Sequence, residues 1–222
     1  MDWQLIIKSL PVLLKGAVLT IELTAAAVAI GTIIGLVMAM LRLSKRKVMS
    51  WPAAIYVDFF RGTPLLAQIY LIYFGAPQVL HFTPPDSYAY IAGIIALSLN
   101  SGAYIAEIFR AGIKSIDRGQ SEAARSLGMT QGEAMWNVIL PQAFKRVVPP
   151  LGNEFIAMLK DSALVSVISI EELLFSGKII AGRTFKPFEI YIAVAMIYLV
   201  MTLTISQVVN YMERRLAKSD SR

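Results

Sequence analysis

Five long apolar runs decide what this chain can fold into. They cover residues 16–41, 51–78, 88–111, 147–170 and 188–211. A bilayer-spanning helix needs about 20 mainly apolar residues, and in lipid every backbone polar group must be satisfied within its own element or a closed barrel. The expected fold is therefore an all-α integral membrane protein, a single domain over 1–222 with five transmembrane helices. Composition agrees: 56% of residues are hydrophobic and 16% charged, against about 25% charged in a soluble domain. The chain has no cysteine and one histidine, His81, placed in a turn with Pro84 and Pro85. That inventory builds no disulfide, no thiolate metal site and no Ser/His/Asp catalytic set. The net charge of +6 does not point to nucleic acid, because the basic residues flank the apolar runs. Asp2 and the lack of a basic leader argue against a secretory signal peptide. Residues 3–10 are expected to lie at the interface as a short amphipathic segment.

Orientation follows from lysine and arginine in the connections. The first connection carries Arg42, Lys45, Arg46 and Lys47, and the third carries Arg110, Lys114, Arg118, Arg125, Lys145 and Arg146. The tail carries Arg214, Arg215, Lys218 and Arg222. The second connection has none, and the fourth mixes three basic residues with Glu171, Glu172 and Glu189. The basic side is cytoplasmic, which puts the N-terminus outside, the C-terminus inside, and residues 115–141 in the cytoplasm. The fourth connection is expected to form a short external helix closing a chamber. In the first run, Gly31 and Gly35 are four residues apart, a spacing that allows close helix approach. No internal repeat is visible, which weighs against an inverted-repeat carrier.

The cytoplasmic stretch 122–141 is polar and helix-prone. Asp117 is a helix cap with Gln120 at the third helical position, and Thr130 with Glu133 reads as a capping box. Gly128 sits where a left-handed C-cap is needed, and Pro141 is expected to stop the second helix. The reading is two short helices hinged at Gly128. Ala123 and Ala124 keep the first one slim, and Glu122 and Arg125 give it surface charge.

The pattern Glu122-Ala123-Ala124, then Gly128, then Val138-Ile139-Leu140-Pro141 resembles the EAA loop of membrane subunits of ABC importers, with Val138 at the usual Ile position. The stretches DFFRGTPLLAQ (58–68), AYIAEIFRAGI (103–113) and LKDSALVSVISIEEL (159–173) are similar to the polar amino-acid permeases among them. The resemblance implies a permease dimer, homomeric or heteromeric, gripping two cytoplasmic ATPases and fed by an extracytoplasmic amino-acid-binding protein. It places the chain in the cell membrane as a multi-pass transport subunit, with Glu122, Ala123, Ala124, Arg125 and Gly128 docking the ATPase. The chain contains no Gly-x4-Gly-Lys-Ser/Thr loop of its own to cradle a nucleotide. ATP and its Mg are therefore expected on the partner, with no cofactor on this chain.

Ionisable groups within a span are costly and usually mark a pathway or a partner. Asn100, Tyr104 and Glu107 share one helical face, as do Glu154, Met158 and Asp161. These faces suggest a substrate chamber, with Glu154 and Asp161 taking an ammonium or a basic side chain and Lys160 or Arg61 taking a carboxylate. Ser162 and Gln68 are further candidates. Structural pairing is the competing reading, with Glu107 on Arg110 and Asp58 on Arg61, each three residues apart. Arg61-Gly62-Thr63-Pro64 interrupts the second run as a kink or an interfacial helix end. The carboxylate surplus leans toward arginine, lysine or histidine, with glutamine the alternative and an ion-coupled carrier a further class.

Overall fold

The computed structural model describes residues 2–220, with side chains through Arg215; Lys218 of the basic tail is described by backbone alone, and Arg222 lies outside the described residues. The described residues are helical, without a strand. In chain order they form α1 (Trp3–Leu43), α2 (Lys47–Gly62), α3 (Leu65–Tyr70), α4 (Ala76–Leu80), α5 (Tyr88–Lys114), α6 (Arg118–Ser126), α7 (Gln131–Ala134), α8 (Leu140–Asp161), α9 (Leu173–Thr184) and α10 (Pro187–Asp220). Wide π turns link α3 to α4 over Leu71–Gly75 and α7 to α8 over Met135–Ile139, and a 3-10 segment, Ser162–Ile168, extends α8.

Among the described residues three helices are long and apolar enough to cross a bilayer: α1, α5 and the Pro187–Arg215 stretch of α10. The second run is segmented by the break at Thr63-Pro64 and by the π turn. The fourth is divided between α8, where it carries Glu154, Lys160 and Asp161, and the 3-10 segment.

The expected separate segment over 3–10 does not form, because these residues are the first turns of α1. That helix runs 41 residues, about 60 Å at 1.5 Å per residue, twice the hydrocarbon thickness of about 30 Å. Asp2 caps it by accepting the Leu5 N–H at 3.0 Å. Pro11 would normally kink or end a helix. Here Leu5, Ile6, Leu13 and Ala17 pack into a cluster with Leu173, Ile190 and Val194 of α9 and α10, and that burial carries the helix through the proline.

The glycine pair makes its close approach within the chain. A Cβ at Gly31 would lie 3.1 Å from the Gly102 nitrogen and the Ser101 Cβ, and one at Gly35 would lie 2.7 Å from Ile105. The pair therefore seats α1 on α5. Beside this seam, Leu23, Ala27, Ala96, Leu97, Met158, Val165 and Ile168 form the central core.

Pro141 does not stop the second helix of the 115–141 block. It occupies the first turn of α8, where a missing N–H costs nothing. The π turn ahead of it widens the backbone so that the Leu140 N–H reaches the Met135 carbonyl. α7, the π turn and α8 thus form one continuous path. The fourth connection does contain a helix, α9, capped by Glu172 and closed by Phe185 at φ 55.

Candidate functional site

Two polar regions stand out. The first is the 115–141 block. Asp117 caps α6 by accepting the Gly119 N–H at 2.7 Å, while Gln120 accepts from Gln142 of α8 at 3.2 Å instead of completing a box. Gly128 has φ +88, and the Gly128 and Met129 N–H groups return to the Arg125 and Ala124 carbonyls. The capping box at α7 is complete: the Thr130 N–H donates to Glu133 at 2.8 Å and the Glu133 N–H to the Thr130 hydroxyl at 3.3 Å. The Thr130 hydrogen bonds hold the Glu133 carboxyl below the usual carboxylate range. Ala124 is buried, whereas Glu122, Ala123 and Arg125 are exposed. The slim, charged face of α6 is thus free to meet a partner. Beneath it, Ile113, Ile116, Ile139 and Ala143 pack as a small cluster, and Arg146 of α8 donates to the Ser115 carbonyl at 2.6 Å.

The second region lies where α2 breaks. The carbonyls freed at the break are met by Gln68, whose amide donates to the Phe60 and Thr63 carbonyls at 2.9 and 3.0 Å. Asn100 of α5 donates to Gln68 Oε1 at 3.0 Å and to Phe60 O at 3.3 Å. Both side chains are buried, and Gln68 and the Asn100 amide nitrogen are engaged with the protein itself. Met158 and Ser162 are also buried, with Ser162 donating to the Leu159 carbonyl.

The charges sort differently from the local pairs expected in sequence. Glu107 does pair with Arg110, but it also binds Arg42 of α1 at 2.7 Å. Asp58 pairs with that same Arg42, at 3.4 Å, and not with Arg61. Arg61 instead lies over the Tyr104 ring, 5.3 Å from its centre. The reason is geometric: Arg42 reaches from a third helix into the space between the two carboxylates. Arg61, Tyr104, Glu107, Arg146 and Pro150 line a hollow of about 420 Å³ between the broken second run, α5 and α8.

Glu154 sits one turn along α8 from Pro150. The antiparallel register that seats Gly112 on Val147 brings Glu154 to Ser101 of α5. Its carboxyl approaches the Ser101 hydroxyl without closing a hydrogen bond of good geometry. It is half-buried, and Asp161 lies two turns along the same helix. Lys160 and Asp161 are exposed. Glu154 and Asp161 give α8 two carboxylates on one face, whereas the Arg61 guanidinium and the Tyr104 ring line the hollow, whose wall includes neither carboxylate.

The family model for the inner membrane component of binding-protein-dependent transport systems matches residues 31–218. The chain belongs to that family. Among similar proteins, the arginine transport system permease protein ArtQ of Bacillus subtilis is 37% identical, aligned over 99% of both chains. The glutamine transport system permease protein GlnP of Escherichia coli K12 is also 37% identical, over 97% of each. A crystal structure of an amino acid ABC transporter with histidines superposes with a TM-score of 0.91 at 48% identity, covering 97% of this chain and 99% of that one. The protein is thus a permease subunit of an amino-acid ABC importer, a transport subunit and not an enzyme.

In this permease two side chains carry more than their sequence positions suggested. Arg42 was legible only as a topology signal, yet it bridges α2 and α5. Glu172 is fully buried. It accepts the Leu174 and Phe175 N–H groups at 2.9 and 2.7 Å and the Tyr198 hydroxyl at 2.9 Å, tying α9 to α10. A glutamate directly ahead of Leu173-Leu174-Phe175 was the available signal for that cap.

Proposed function

We propose that this permease moves a polar, cationic amino acid inward by alternating access, through five spans with the N-terminus outside and the C-terminus in the cytoplasm. It works as one of two membrane subunits on a pair of cytoplasmic ATPases that bind ATP and Mg, and it receives substrate from an extracytoplasmic binding protein. The single observation that carries the substrate reading is the half-buried Glu154, without a bonded cation among the described residues. A carboxylate at membrane depth calls for a cation, and an arginine or lysine side chain supplies one. Glu154 and Asp161 take the basic end and the ammonium, while Arg61 or Lys160 takes the substrate carboxylate. Tyr104 holds Arg61 in place by its ring face. Gln68, Asn100, Met158 and Ser162 shape this chamber from behind. Coupling runs through Glu122, Ala123, Ala124, Arg125 and Gly128 on the exposed face of α6.

A second reading is a glutamine permease, favoured by the equal identity to an arginine and a glutamine system. Uptake by the reconstituted complex separates the two. Glu154→Gln should weaken arginine uptake about tenfold or more, the scale of a lost charge-assisted hydrogen bond, and leave glutamine uptake within about twofold. Equal loss for both amino acids, or no loss, would sink the cationic reading.

A further inference from the structure

A second and larger hollow, about 820 Å³, opens between the C-terminal half of α1 and the path from the π turn into α8. Leu36, Met40, Met49, Phe109, Trp136 and Phe144 are its largest apolar wall residues alongside smaller aliphatic ones. Its volume falls within the range of ligand cavities, about 300–1,000 Å³. The two hydroxyls in the wall are already committed. Thr32 donates to the Val28 carbonyl at 2.7 Å, and Ser44 accepts the Arg46 N–H at 3.2 Å. A polar occupant would find few partners here, so the cavity suits hydrocarbon.

The rim has the opposite character. Ser44 and Met49 both line the hollow, so the turn between them, with Lys45, Arg46 and Lys47, runs along its edge. All three are exposed, and none has an ion-pair partner among the described residues. The Trp136 indole, 71% exposed, stands at the opposite side, as tryptophans do at the level of lipid headgroups.

We propose that this hollow binds an anionic phospholipid of the cytoplasmic leaflet, with an acyl chain against Met40, Phe109 and Phe144 and the phosphate at Lys45–Arg46–Lys47. The side of the membrane rests on the orientation given above. A second copy of this chain fits the site less well, because at the same depth it would set its own basic connection against this one, and like charges in contact are unfavourable. Basic pockets between cytoplasmic helix ends are suited to anionic headgroups. The occupant would touch Trp136 and Phe144, on the path that joins the ATPase-docking block to α8, so it would stiffen the element that transmits the ATPase movement.

Native mass spectrometry of the intact complex, purified with phosphatidylglycerol or with phosphatidylcholine, tests the site. The wild-type complex should retain phosphatidylglycerol in preference. Substituting Lys45→Gln, Arg46→Gln and Lys47→Gln should weaken retention about fivefold per charge removed. Met40→Trp, which fills the cavity and keeps the charges, should weaken retention of both lipids. Equal retention of the two lipids by the wild type, or unchanged retention in both variants, overturns the proposal. So does a disulfide between two Trp136→Cys chains, which would mean that a second copy covers the hollow. The orientation is read separately. The chain lacks cysteine, so Val48→Cys, exposed beside the same connection and outside the wall of the hollow, can be probed with a membrane-impermeant maleimide in right-side-out vesicles. Labelling there would refute the orientation while leaving selective lipid retention intact.

Discussion

The 115–141 block and the charged interior around α5 and α8 are built on opposite principles. The block is held by short-range devices: a cap at Asp117, a positive φ at Gly128 and a box between Thr130 and Glu133. The partners in these devices lie two or three residues apart, and Gln142 and Arg146 of α8 add the longer ties. The interior is held by contacts between distant segments. Arg42 meets Glu107 across 65 residues, Asn100 meets Gln68 across 32, and Tyr198 meets Glu172 across 26. A locally specified element presents a preformed face to a partner. A site specified across helices changes when those helices move, which is what a transport pathway requires.

The largest effect should come from the block. Gly128→Pro forces φ to about −65° where the chain stands at +88, and Glu122→Lys reverses an exposed charge on the docking face. Either should reduce ATP-driven uptake by about two orders of magnitude, a loss of coupling on the scale of a few kcal/mol. Substrate binding measured by calorimetry should persist. Transport at wild-type rates with these changes would reduce the block to a connecting loop.

Next in size is Gln68→Leu, which keeps the volume and removes the donor that satisfies Phe60 and Thr63. It should cost about 1–3 kcal/mol, the penalty of buried groups left unpaired, read as a lower melting temperature of the detergent-solubilised complex. ATPase docking should be unaffected. A variant with unchanged stability would mean that water meets those carbonyls and that the two regions are less different than they look.

The smallest effect concerns pH at the box. The Glu133 carboxyl is held below its usual range by Thr130. A group with a depressed folded-state pKa contributes stability that is present above its unfolded value and lost as pH falls through the folded one. Hydrogen-exchange protection of the α7 amides should therefore fall only below the ordinary carboxylate range and stay flat from there to neutrality. In Thr130→Ala the same loss should begin at higher pH. An unchanged midpoint would show that the cap is not what holds α7.

The block was the most legible part of this protein in sequence, because capping depends on residue type at fixed short spacing. Its one misreading, a stop at Pro141, came from the same rule applied without its exception, since a proline tolerated in a first turn looks identical to one that breaks a last turn. The close approach at Gly31 and Gly35 was also readable as a small-residue spacing. The face that it seats on, with Ser101, Gly102 and Ile105, was not. Charged side chains in the interior were visible as residues that lipid would not tolerate. Their partners were drawn three residues away, because sequence displays only neighbours.

By itself the sequence determined the solvent of this protein, its helical class and the capping chemistry of its 115–141 block, because each depends on composition or on contacts at short spacing. Only the tertiary structure decided that residues 3–10 continue into one 41-residue helix. It also decided that Gln68 and Asn100 close the break in the second run, and that Arg42 takes both carboxylates while Arg61 turns to Tyr104. Those outcomes depend on which helices pack side by side, and packing is a property of surfaces brought together from far apart in the chain.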